Sequence, residues 1–128
     1  MSSERALWLW LKRRIPSHCH YSRIESESSP GFPDLHVTNN GISLTVELKC
    51  SRNPTAKYPF KVGGMRRDQI FWIKDEVAAG GIVWLFLQIG RKRYWVEGKW
   101  AAAVNNWTFP QIKKNAYTQS RYFRKQKP

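Results

Sequence analysis

The spacing of apolar residues changes several times along the chain, and each change marks an element. Over residues 4–14, Ala6, Leu7, Leu9, Trp10 and Leu11 give one broad apolar face, which predicts a short helix. Lys12, Arg13 and Arg14 suit the negative end of its dipole, and Pro16 stops it. Residues 18–27 alternate loosely, as a strand does. Ser28-Ser29-Pro30-Gly31 reads as a turn. Residues 34–38 and 42–49 alternate with a period of two on either side of Asn39-Asn40-Gly41, a strong hairpin signal. In the second of these strands Ile42, Leu44 and Val46 point one way, and Ser43, Thr45 and Glu47 the other.

Residues 51–65 carry Pro54, Pro59 and Gly63-Gly64 and predict a long loop, which in a small domain is commonly functional. Residues 68–79 predict a helix ended by Gly80-Gly81. Residues 82–89 are almost continuously apolar, as in a strand buried on both faces. Gly90-Arg91-Lys92 is a turn, residues 93–97 a short strand, and residues 100–104 a helical turn. There is no internal repeat. Helix, strands, helix, strand is the order of an α/β or α+β domain with a central mixed sheet.

Composition bears on partners more than on fold. The 128 residues suit one domain, with residues 1–110 as its body and 111–128 as a basic, aromatic tail. The formal net charge is +13 and the isoelectric point about 10.2, which favours a polyanion such as DNA, RNA or an anionic membrane surface. No apolar run approaches the roughly 20 residues that cross a bilayer, and the start lacks the order of a secretory signal. The expectation is a soluble, intracellular (cytoplasmic) protein, of a build compatible with a viral or mobile-element origin. Cys19 and Cys50 form no CxxC motif and read as reduced thiols.

The chemistry gathers around the hairpin. Asp34 opens its first strand and Glu47-Leu48-Lys49 closes its second, so all three side chains can meet in one cleft. Glu47 and Lys49 are two apart and share a face, while Leu48 projects into the core. An acid and an amine on one face of an apolar strand are costly unless they have partners or a task. Two carboxylates suffice for Mg²⁺, which keeps several waters, and the Leu48 carbonyl offers a further ligand. Lys49 would stay protonated beside the acids and orient a water or stabilise a charged phosphorane. The plainer alternative is a Glu47–Lys49 surface salt bridge, with Asp34 a turn residue.

Gly31-Phe32-Pro33-Asp34-Leu35 followed by Glu47-Leu48-Lys49 resembles the PD-(D/E)XK nuclease superfamily, above all its small VRR-NUC domains and the related Holliday junction resolvases. The resemblance runs from about residue 4 to about residue 89. It implies a restriction-endonuclease-like αβββαβ core, with Mg²⁺ or Mn²⁺ at Asp34 and Glu47 and Lys49 as the catalytic lysine. It also implies an acid from the first helix, where Glu4 fits and Glu25 competes, and a glutamine opening the second helix, where Gln69 fits. Resolvase-like relatives are two-fold dimers, so a homodimer is expected.

Around that site, Arg52, Lys57, Lys61, Arg66 and Arg67 would grip phosphates, as would Lys113, Lys114 and Arg121 in the tail. His36 falls on the Asp34 side of its strand. His18-Cys19-His20 lacks a second pair at zinc spacing. The reading is a metal-dependent endonuclease acting on branched or duplex DNA, with no membrane partner. Its rivals are a non-catalytic nucleic-acid-binding protein and a nicking or flap nuclease of repair or defence.

Overall fold

The computed structural model describes residues 3–24 and 31–118. Its elements run in chain order as α1 (Glu4–Lys12), β1 (His20–Arg23), β2 (Leu35–Asn39), β3 (Ile42–Ser51), α2 (Arg67–Ala78), β4 (Val83–Ile89), β5 (Lys92–Glu97) and α3 (Phe109–Asn115). Two short 3-10 turns, Gly98–Trp100 and Val104–Asn106, separate β5 from α3. The strands form one sheet in the order β1-β2-β3-β4-β5. β3 and β4 pair in parallel, joined through α2, and the other neighbours are antiparallel. The αβββαβ order is therefore present, extended by β5 and α3.

Alternation along the strands divides the interior in two. Leu44, Val46 and Leu48 of β3 join Trp84 and Phe86 of β4 and Trp95 of β5 beneath α1, whose Leu7 and Leu11 are buried. Leu85, Leu87 and Ile89 face the other way, against α2 and α3, with Ile73, Val96 and Ile112. Phe86 and Trp95 stack with ring centroids 4.2 Å apart. At the hairpin tip Asn40 (φ 52°) and Gly41 (φ 80°) both take the left-handed conformation that the tight turn demands.

Several expectations need correction. The strand expected over residues 18–27 is seen only as His20–Arg23, and residues 25–30 lie outside the described residues. The helical turn expected over 100–104 is instead the pair of 3-10 turns, with Ala101 between them buried. Trp8 and Trp10, two apart on α1, both pack half-buried against the α1-side core, Trp8 edge-on to Tyr21 and Trp10 on Phe86. A helix face wider than a single stripe admits both.

Helix α3 spans residue 111. Thr108 caps α3, Gln111 returns a bond to the Thr108 N–H, and Pro110 stands in the first turn. Ile112 is fully buried, and Tyr117 exchanges two backbone hydrogen bonds with Trp95 (2.7 and 2.8 Å). The loop after β3 has no regular structure, yet its far half is fastened. Phe60 and Met65 are core residues, and the Asn105 side chain bonds both the N–H and the carbonyl of Met65 (2.9 and 2.8 Å). Cys19 and Cys50 are unpaired, half-buried thiols.

If α3 belongs to the core, Ile112→Ala removes a fully packed side chain and costs about 2–5 kcal/mol. Urea unfolding measures this directly. A midpoint unchanged from the parent would show that the helix is only loosely attached.

Candidate active site

The site begins with a close approach of backbone. Gly31 adopts φ +84°, and a Cβ there would lie 2.3 Å from the Asp68 carbonyl oxygen, so only glycine lets this segment lie against the start of α2. Three residues later Asp34 stands just before β2. The β2–β3 register ends at the pair Leu35–Val46, so Leu48 lies two residues beyond the ladder. Its N–H points to the β2 side and donates to Asp34 Oδ2 at 2.8 Å. The side chain thus occupies the place of the missing strand partner. N–H and C=O of one strand residue leave on the same edge, so the Leu48 carbonyl leaves β3 on the Asp34 side too.

Glu47 and Lys49 project to the α2 side of the sheet and are almost wholly buried, at 1% and 5% exposure. Glu47 Oε1 accepts a hydrogen bond from Gln69 Nε2 at 2.8 Å and lies 3.7 Å from Lys49 Nζ. Gln69 sits in the first turn of α2, and its Oε1 accepts the Arg66 N–H at 3.0 Å. That bond leaves the amide nitrogen aimed at Glu47. The expected glutamine is therefore both a helix cap and an acid's partner.

The other Glu47 oxygen, Oε2, is buried and meets no donor. Burial first, then the adjoining Asp34 carboxylate, push the Glu47 carboxyl up to about 9, against which Lys49 pulls. Two carboxylates pressed together with one oxygen unmet is an arrangement that a cation relieves. Glu4, at the exposed start of α1, feels the same field. Partial burial raises its carboxyl, Lys49 opposes this and Asp34 adds to it. Ser3 Oγ accepts the Ala6 N–H at 3.0 Å and so fixes where the helix starts. Among the described residues no three His, Cys, Asp or Glu side chains gather into a ready-made cage. Two carboxylates nonetheless fit a hard cation that retains waters and completes its shell with substrate phosphate oxygens. Glu25 lies outside the described residues.

The surrounding cations divide. Arg52, Lys57, Lys61, Arg66 and Arg67 are exposed. Lys57 and Lys61 each stand 5.5 Å from the Tyr58 ring, Arg66 pairs with Asp68 at 3.2 Å, and Arg67 covers Phe71. Lys113 and Lys114 are exposed on α3, which packs on β5, two strands from β3. Arg121 lies outside the described residues. His36 is half-buried on β2, opposite Ser22 and Thr45. His18 Nε2 bonds Asn39 Oδ1 at 2.8 Å, a structural contact at the hairpin. Sequence reasoning missed Arg23, whose Nε and Nη1 are buried without hydrogen-bond partners and whose charge lowers the Glu4 carboxyl. Its loosely alternating strand offered only the signal of a basic residue at an inward position.

No family model matches the chain, and no curated protein matches it. Among solved structures it is similar to Hjc, a Holliday junction resolvase from the archaeal hyperthermophile Archaeoglobus fulgidus. The TM-score is 0.50 and the identity 16%, over 75% of this chain and 74% of Hjc. The likeness is one of fold: a mixed five-stranded sheet with three helices, the α/β restriction-endonuclease-like architecture. Among the described residues no helix is long and apolar enough to cross a membrane.

The buried acid makes stability depend on pH. With the usual carboxyl value of 4.5 when unfolded and about 9 when folded, folding in EDTA must retain a proton between those values. The stabilisation is whole below pH 4.5 and is lost as pH rises towards 9, by at most about 1.4 kcal/mol per unit. Glu47→Gln keeps an acceptor for Gln69 and has no charge to bury. Its thermal midpoint in EDTA is expected above the parent's at pH 8, with a flatter pH profile. Identical profiles would refute the arrangement of the two acids.

Proposed function

We propose that the chain is a divalent-metal-dependent endonuclease that hydrolyses DNA phosphodiester bonds, of the PD-(D/E)XK kind and nearest to the VRR-NUC and Holliday junction resolvase members. The observation that carries this reading is the meeting of half-buried Asp34 with buried Glu47 and Lys49 at the end of the β2–β3 pairing. Asp34 and Glu47 would hold Mg²⁺ or Mn²⁺, with the Leu48 carbonyl and Glu4 as further ligands. When bound, such an ion lowers the pKa of a water and neutralises charge on the phosphate.

The chain's own residues do the rest. Lys49 places its ammonium group beside the acids, where it orients the attacking water and stabilises the charged phosphorane. Gln69 holds Glu47 in one rotamer through its 2.8 Å bond. Burial of Glu47 and Lys49 excludes bulk water, which strengthens their effect on developing charge. Arg52, Lys57, Lys61, Arg66 and Arg67 lie on and beside the loop between β3 and α2, where exposed cations meet a phosphate backbone. The favoured substrate is branched DNA such as a four-way junction, cut symmetrically by a homodimer. The fold likeness to Hjc supports this choice of substrate.

Labelled junction, flap, hairpin, nicked and linear substrates, each with Mg²⁺, Mn²⁺ or EDTA, test the reading. Cleavage is expected with metal, strongest on the junction, and none in EDTA. Asp34→Ala and Glu47→Ala should abolish cleavage while binding, followed by anisotropy in Ca²⁺, persists. Lys49→Gln should lower the single-turnover rate about 100-fold or more. Tight binding with no cleavage on any substrate would make the protein a nucleic-acid binder instead. A monomer mass in light scattering, with the junction still cut, would remove the homodimer alone.

A further inference from the structure

A groove of about 570 Å³ lies on the α1 side of the sheet, the face away from Glu47 and Lys49. Its polar lining is Trp10 and Arg13 from α1, Gln88 from β4, Arg91 from the β4–β5 turn, and Arg93 from β5. Among the described residues no acidic one lines it. Arg93 Nε is buried and has no hydrogen-bond acceptor. The Arg93 guanidinium lies 4.2 Å from the Trp10 ring centroid, and Arg14 covers the same ring at 3.7 Å. Burial, then repulsion from Arg14, make Arg93 a weaker base than usual. Like charges are thus held around one ring, one of them with an unmet donor, at the mouth of a groove large enough for an anion.

The groove also joins the candidate active site around one end of the sheet. The β3–β4 register sets Cys50 beside Gln88, one residue beyond Lys49. The Gly90 N–H donates to the Ser51 carbonyl at 2.9 Å, so Arg52 and Arg91 flank the same strand end. Pro54 packs against Gly90, 3.3 Å from where a Cβ would stand. A chain of phosphates leaving the carboxylates past Arg52 would meet Arg91, then Arg93 and Arg13.

We propose that this groove is a second phosphate-binding site, which holds the backbone of the same nucleic acid beyond the point of cleavage. The inference rests on the nuclease reading for its ligand, though not for its geometry. Trp10 is already covered by guanidinium groups, so the groove takes phosphate oxygens and does not stack bases. Arg93 supplies the unmet donor, and Arg91 and Arg13 supply charge at the rim.

The test is the salt dependence of DNA binding by the Arg91→Gln/Arg93→Gln double variant. Anisotropy of a labelled junction and a labelled duplex is read in Ca²⁺ between roughly 50 and 200 mM salt. Two lost phosphate contacts should reduce the slope of log K against log salt by about 1.8. Arg91→Gln alone, at an exposed turn position, should reduce it by about 0.9 and avoids any concern over folding. The single-turnover cleavage rate at saturating protein should stay within about twofold of the parent's, because neither side chain faces the carboxylates.

An unchanged slope overturns the groove and leaves the nuclease reading intact. A slope reduced in the double variant of a parent that never cleaves defeats the nuclease and leaves the groove. Inorganic phosphate is added to the parent in Ca²⁺-free buffer against ionic-strength-matched chloride. Excess displacement of DNA by the phosphate, lost in the double variant, is expected; phosphate that binds the parent and not the double variant, yet displaces no DNA, would assign the groove to a free anion and overturn the backbone proposal.

Discussion

Everything around the candidate site follows from a sheet that stops pairing too soon. β2 and β3 part company at Leu35 and Val46, and β3 runs on beside β4 alone. The next free N–H on the β2 side, that of Leu48, is taken by Asp34. That bond sets Asp34 beside Glu47, and strand parity sets Lys49 with them. A ladder two residues longer would satisfy the backbone and leave no room for the acids. The cost of burying Glu47 beside the half-buried Asp34 is the consequence of ending the hairpin there, and a cation between them would relieve it.

Helix α2 is coupled to the acid through one amide. Gln69 uses its oxygen to cap the helix and its nitrogen to hold Glu47. Gly31 presses the Asp34 segment onto the same helix start. The orientation of α2 and the position of both carboxylates are therefore one geometric fact, and small shifts of the helix would be felt directly at the site. The same helix start carries the exposed Arg66 and Arg67.

Much of this was legible in the chain. Asn39-Asn40-Gly41 announced the hairpin, alternation assigned Glu47 and Lys49 to one face, and the apolar run over 82–89 announced the central strand. These signals are local, and local geometry decides them. What was not legible depended on distant partners. The capping residues Thr108 and Gln111 and the proline between them do spell a helix start, but the basic composition of the C-terminal stretch masked it. Arg93 was legible only as the start of a short strand; its neighbours Trp10 and Arg14, about eighty residues away in the chain, are supplied by the fold. Burial of Trp8 and Trp10 together likewise depended on the width of the core beneath α1.

The loop between β3 and α2 is held unevenly. Asn105 clasps both backbone groups of Met65, Phe60 is sunk in the core, and Gly64 passes so close to Phe60 and Asn105 that no side chain would fit. Before Phe60 the fastenings are lighter: the turn at Asn53 and Thr55, and Pro54 against Gly90. The strap is tied at both ends, to the sheet through Ser51 and to the core through Phe60 and Met65. Exposed Lys57 stands midway between these ties, whereas Arg52 adjoins the end of β3 and Arg66 and Arg67 stand at the start of α2.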